Sequence, residues 1–211
     1  MSMPYAQLTA NIEDICENTF TSDQLALFVQ QTEQFIYNAV QIPALRKNVT
    51  GTATSGTEYL SVPTDFLYVY SIAVIDGSSN YHFLLNKDVN FIREAYPVAT
   101  TTGLPKHYGI FNDDAFILGP TPDSNYTFEL HYGYYPESIV TASTTYLGDE
   151  FDSALLNGAL VEAIRFMKGE PDMVAMYDKF YAASMVLLQT LGDGKLRSDT
   201  YRSGQIRMQV T

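Results

Sequence analysis

A chain of 211 residues, 46% of them apolar, is long enough to bury a substantial core and too apolar for global disorder. Its net charge of −12 argues against a duplex-binding surface, which needs a basic face. The lone Cys16 excludes an intrachain disulfide, and no run approaches the roughly 18 apolar residues of a membrane span.

The first forty residues predict two helices. Tyr5, Leu8, Ile12 and Ile15 share one helical face, and a break follows at Asn18-Thr19. Thr21 then starts a second helix, with Gln24 three residues on as the return partner of a capping box. Phe20 and Leu25 stand at the positions of a hydrophobic staple. Leu25, Phe28, Val29, Thr32, Phe35, Ile36 and Ala39 continue a single stripe, which Pro43 ends at the latest.

From Arg46 the period changes. Asn48 to Gly56 reads as a weak strand and a turn, and Glu58 to Val62 as a short strand closed by Pro63. Leu67 to Ile75 is dense in Tyr, Val and Ile. Asp76-Gly77 marks a turn, and Tyr81 to Leu85 returns from it. Asp88 to Tyr96 reads as a short helix capped by Asn86 or Asp88. His107 to Phe111 and Ala115 to Leu118 flank a turn at Asn112-Asp113-Asp114, and Pro120 to Asp123 makes another. Along Tyr126 to Tyr134, Tyr126, Phe128, Leu130 and Tyr132 alternate with Thr127, Glu129 and His131. Five or six short antiparallel strands are therefore expected between helical segments.

The last third returns to helix. Phe151, Leu155, Ala159, Ala163 and Phe166 share a face, Asp149, Glu150 and Asp152 stand at its start, and Gly169 closes it. Pro171 suits the first turn of a further helix. Met173, Met176, Phe180, Ala183, Leu187 and Leu191 form its expected buried stripe, and Gly192-Asp193-Gly194 is expected to stop it. The fold class expected is α+β: a helical bundle of two N-terminal and two C-terminal helices, interrupted by an antiparallel β domain. The expected divisions are 1–45, 46–140, 141–194 and an extended tail at 195–211.

That tail differs from the body. It carries Lys195, Arg197, Arg202 and Arg207 against Asp199, while the first 194 residues hold 8 bases and 23 acids. Leu196, Tyr201, Ile206, Met208 and Val210 make it more apolar than a solubilising tail requires, the composition of a segment that orders on a partner.

No catalytic residue, cofactor site or metal site is predicted. His82, His107 and His131 fall in strands without ligand spacing. Cys16 reads as a small buried hydrophobe. Gly51 to Gly56 lacks the lysine of a phosphate loop, and no nucleophile elbow is present. Helix-start electrostatics accounts for Asp149, Glu150 and Asp152. A hydrolase reading would need those acids to act as a pair. A carbohydrate- or surface-binding β module is the other alternative, motivated by the tyrosine-rich central region.

Several segments together resemble the head-to-tail adaptor (connector) proteins of tailed bacteriophages. They are Gly103 to Ile110, Phe116 to Asp123, Tyr126 to Leu130 and Tyr134-Tyr135-Pro136, with Val62-Pro63-Thr64-Asp65-Phe66-Leu67 before them and Leu156 to Ala163 after. The likeness runs to about residue 192. It implies a non-enzymatic structural subunit of a dodecameric ring in the virion neck, assembled in the host cytoplasm without membrane contact. It implies docking on the portal ring above through the C-terminal tail, and contact with tail or nozzle proteins below. DNA would pass through the channel without specific binding. The residues this assigns to the portal are Lys195, Leu196, Arg197, Tyr201, Arg202, Ile206, Arg207, Met208 and Val210. No signal resembling a secretory leader is visible, so retention in the cytoplasm is expected.

Overall fold

The computed structural model describes residues 2–98 and 100–196, with side chains given to residue 192. The chain forms two compact units, one from its first 45 residues together with the segment from Pro136 onward, the other Arg46–Tyr135. Mixed helix and sheet make it an α+β protein.

The helical unit opens with α1 (Tyr5–Cys16) and α2 (Ser22–Ala39). Leu8 and Ile12 of α1 are buried and Tyr5 is half-buried, but Ile15 is exposed, so the expected stripe ends one turn early. The capping box at α2 is formed: Gln24 N–H donates to Thr21 Oγ1 at 3.3 Å, and Thr21 N–H to Gln24 Oε1 at 3.0 Å. Phe20 packs edge-on against Phe28 with ring centroids 5.4 Å apart.

The β unit holds β1 (Arg46–Ala53), β2 (Tyr59–Ser61), β3 (Tyr68–Ile75), β4 (Tyr81–Phe83) and β5 (Leu85–Asn86), then a short helix α3 (Val89–Ala95) capped by Asp88. β6 (Thr102–Gly103), β7 (His107–Asn112), β8 (Ala115–Gly119), β9 (Thr121–Pro122) and β10 (Tyr126–Gly133) follow. One sheet has the order β1-β10-β3-β4 and a second β2-β8-β7-β5. Their inner faces share one core, with Ile72, Val74, Leu130 and Tyr132 from the first and Leu60, Tyr108, Phe116 and Leu118 from the second. On β10 the expected alternation holds: Phe128, Leu130 and Tyr132 are buried. The antiparallel β domain expected is present, and two short pairings, β5 with β7 and β6 with β9, run parallel within it. Both parallel partners are two-residue segments, too short to show a period in sequence.

The chain then re-enters helix through α4 (Ile139–Ala142), α5 (Tyr146–Glu150), α6 (Asp152–Phe166) and α7 (Pro171–Leu196). α6 packs against α1, α2, α5 and α7, so it is the central element of this unit. Asp149 and Glu150 belong to the separate short helix α5, leaving Asp152 alone in the first turn of α6. At the other end of α6 the left-handed residue is Lys168 (φ 57°), and Gly169 N–H donates to Ile164 O at 3.0 Å.

Two expectations for α7 fail. The helix does not stop at Gly192-Asp193-Gly194 but runs to Leu196, so Lys195 and Leu196 are helical backbone and the tail does not begin at residue 195. The cause is packing: a Cβ on Gly192 would lie 2.8 Å from Gln41 O and 3.1 Å from Ile42 Cγ2. This glycine serves close approach rather than termination. The second failure concerns which face is buried, and it bears on function.

Candidate interaction surfaces

Helix α7 buries Leu188 and half-buries Val174, Tyr177, Tyr181, Ser184 and Met185. The stripe expected in the core, Met173, Met176, Phe180, Ala183, Leu187 and Leu191, is exposed instead, Leu187 to 70%. At 100° per residue the two rows lie side by side on the helix. The apolar arc of α7 is thus wider than its contact within the unit, and about half of it is uncovered. No charged residue occurs from Phe180 to Gly192.

Helix α2 repeats the pattern. Leu27 and Phe35 are exposed beside Gln30, Gln31 and Gln34, Phe35 to 59%. Glu33 is the only charge between Gln24 and Ala39, and it is buried. Two helical faces of a chain with 36 charged residues therefore meet solvent without charge. Depletion of charge with exposed Met, Phe and Leu is the composition of an interface core.

Candidate chemical groups have structural partners. His82 Nε2 lies 2.9 Å from Asp76 Oδ2, and Asp76 also accepts from the N–H groups of Ser78 and Asn80. The His82 and Asn80 contacts hold the Asp76 carboxyl well below the usual carboxylate range. Tyr96 Oη is 3.1 Å from His107 Nδ1, and burial together with Lys87 and Lys106 lowers the His107 pKa. The His131 ring packs at a tilt against Tyr70, with centroids 5.3 Å apart. Burial raises the Cys16 thiol pKa, away from a nucleophilic thiolate. Asp149 accepts from Ser2 Oγ, and Asp152 from Ser153 Oγ. Among the described residues, no group of three or more His, Cys, Asp or Glu is placed to hold a metal. No described helix is long and apolar enough to cross a membrane.

Of the residues expected to carry docking, Lys195 and Leu196 end α7, and their side chains lie outside the described set. Arg197, Tyr201, Arg202, Ile206, Arg207, Met208 and Val210 lie outside the described residues altogether. The uncharged faces of α2 and α7 were missed by the sequence reading. Their signal was present as a long charge-free run on a helix from an otherwise charged chain.

These uncharged helical faces have the composition of interaction surfaces. Over residues 3–208 the chain matches the family model of the SU10 adaptor protein, and it belongs to that family of bacteriophage adaptors. Among curated proteins, none matches the chain.

Proposed function

We propose that this adaptor is a subunit of a closed, dodecameric ring in the virion neck, a head-to-tail connector between the portal ring and the tail or nozzle proteins below. The uncharged face of α7 carries this reading. A closed ring joins unlike surfaces head to tail, so each subunit needs two different faces. The faces of α7 and α2 supply two, and their lack of charge lets copies of a protein with net charge −12 meet without strong repulsion. The helices act as the ring-forming body and the inserted β unit as a separate module. Twelve copies of the basic C-terminal segment, Lys195, Leu196, Arg197, Tyr201, Arg202, Ile206, Arg207, Met208 and Val210, dock on the portal together and gain from effective concentration. An acidic body lets DNA pass, since it offers few phosphate contacts and little counterion release. The role is structural and non-catalytic.

Sedimentation of the chain with and without portal tests this. A ring-sized complex is expected with portal and is lost when residues 195–211 are deleted. Leu187→Glu is expected to abolish ring formation while leaving the melting temperature unchanged, because the side chain is solvent-exposed in the subunit. A wild-type chain that stays monomeric beside its portal overturns the reading.

A second reading, a carbohydrate- or surface-binding β module, is favoured by one observation. Tyr81, Phe83 and Leu85 alternate along the β4–β5 segment with their side chains exposed. A glycan-array hit lost in Phe83→Ser supports it, and an array without hits removes it.

A further inference from the structure

The β unit has an open side. β1 ends one sheet and β2 ends the other, and a groove of about 420 Å³ runs between these two edges. Leu60 and Phe128 line it together with the hydroxyl-bearing Thr52, Thr57 and Ser61. None of its lining residues is charged.

Arg46 and Lys47 guard the start of the β1 edge, but its second half, Val49–Ala53, is unprotected. Its eight residues pair with β10 in unbroken register, without a bulge. The strand contains no proline, and Val49 to Ala53 carries no charge. Natural sheets blunt such edges with short strands, bulges, proline or lysine. The opposite edges here follow that practice, since β4 and β5 are three and two residues long. Over Val49–Ala53 alternate residues present N–H and C=O groups away from β10, along about 16 Å at roughly 3.3 Å per residue.

We propose that this groove is a strand-addition site that takes an uncharged, extended segment of a partner polypeptide. The incoming backbone pairs with β1. Its alternate apolar side chains face Leu60 and Phe128, and the intervening ones meet the threonine and serine hydroxyls. Nucleic acid is a poor occupant, because phosphates require cations that the lining lacks. The site belongs to the β unit alone and stands whether or not the helical faces build a ring.

The test uses the full chain and an acetylated heptapeptide alternating threonine with valine, with binding and amide exchange followed residue by residue. The peptide is expected to slow exchange at Val49–Ala53. Methylating alternate peptide amides, or installing Thr52→Lys with Ser61→Lys, is expected to weaken binding at least tenfold. Both replaced residues are exposed, so the melting temperature is expected to stay unchanged. Three results overturn the proposal. The methylated peptide binds equally well, protection fails to appear on β1, or soluble cellohexaose displaces the peptide from the groove. Faster β1 exchange after deletion of residues 197–211 also overturns it, since the chain's own end would then be the occupant.

Discussion

Replacing Glu33 by alanine should destabilise the chain, whereas replacing it by glutamine should change its stability little. Glu33 lies on α2 and is only 3% exposed. Its Oε1 accepts from Ile139 N–H at 2.9 Å, at the first turn of α4, where the chain re-enters the helical unit. Burial raises its pKa above the usual carboxylate value, and the hydrogen bonds from Ser138 and Ile139 oppose that rise. Alanine leaves the buried Ile139 N–H without an acceptor, a loss of about 1–3 kcal/mol. A small void adds roughly 1 kcal/mol more. Release of the desolvated charge offsets part of this, leaving a net loss of about 2–3 kcal/mol. For a chain of this size that lowers the midpoint by roughly 5–10 °C. Glutamine keeps the acceptor and discards the charge, so Glu33→Gln should fall within about 1 kcal/mol of wild type. The pH dependence separates the two effects. With its folded pKa raised, native Glu33 holds a proton more readily than the unfolded chain does. Its contribution is therefore fully present below the unfolded value of 4.5 and is lost as pH rises through the higher folded pKa. Glu33→Gln should abolish that slope. Thermal melts followed at 222 nm across pH 4 to 8 measure both quantities. Equal destabilisation by glutamine and alanine would refute the capping role, as would an alanine midpoint within 1 °C of wild type.

Gly158 sits where α2, α6 and α7 converge, and a Cβ there would meet Thr32 Cγ2 at 2.3 Å and the Tyr181 ring at 3.0 Å. Gly158→Ala should cost about 1–3 kcal/mol by overpacking, read as a lowered midpoint in urea, whereas exposed Gly77→Ala should leave the midpoint nearly unmoved. In the β unit, Asp65 receives Lys47 Nζ and Tyr132 Oη, both at 2.8 Å. The Lys47 contact is the larger cause of its lowered pKa. Its stabilisation is present above the unfolded value of 3.8 and is lost as pH falls through the folded pKa, so Asp65→Asn should flatten acid unfolding in that window. Tyr132→Phe should cost about 0.5–1.5 kcal/mol, measured by chemical denaturation, because the ring stays packed while one hydrogen bond goes.

Local chemistry was the most legible part of the sequence. The Thr21–Gln24 box and the Asp88 cap are short-range hydrogen bonds whose partners lie within a few residues, and both form. The alternation on β10 was legible because its two faces see different surroundings. Glu33 was not legible. Its partner, Ile139, is 106 residues away, and nothing in the local pattern around α2 separates a buried acid from a solvated one. The parallel pairings of β5 and β6 escaped for the same reason, since register between distant short segments leaves no period in either one.

Helix α7 shows a deeper reason for the mismatch. Periodicity reports which positions on a helix avoid water in the working protein, and the count includes contacts made with other chains. Within one subunit, Leu188 and Tyr181 face α6 and the core, while Phe180 and Leu187 beside them face solvent. Both rows are apolar, so sequence alone merges them into one arc and cannot say which edge is covered from within. The covered edge is fixed by small and close contacts: Gly158 under Tyr181, and Gly192 against Gln41. The remaining edge keeps its apolar residues although exposure brings the isolated subunit no stability from them. An uncovered hydrophobic face normally marks a binding surface. In the proposed ring, the excess of hydrophobic positions over those the fold buries is the part of the pattern that belongs to the assembly. On this reasoning Leu188→Ala should unfold the helical unit more readily by about 2–5 kcal/mol. Leu187→Ala, one residue away, should leave the monomer's stability within about 0.5 kcal/mol and weaken only association. Equal losses of monomer stability at the two positions, measured by urea denaturation, would show that the exposed edge is not free in the subunit.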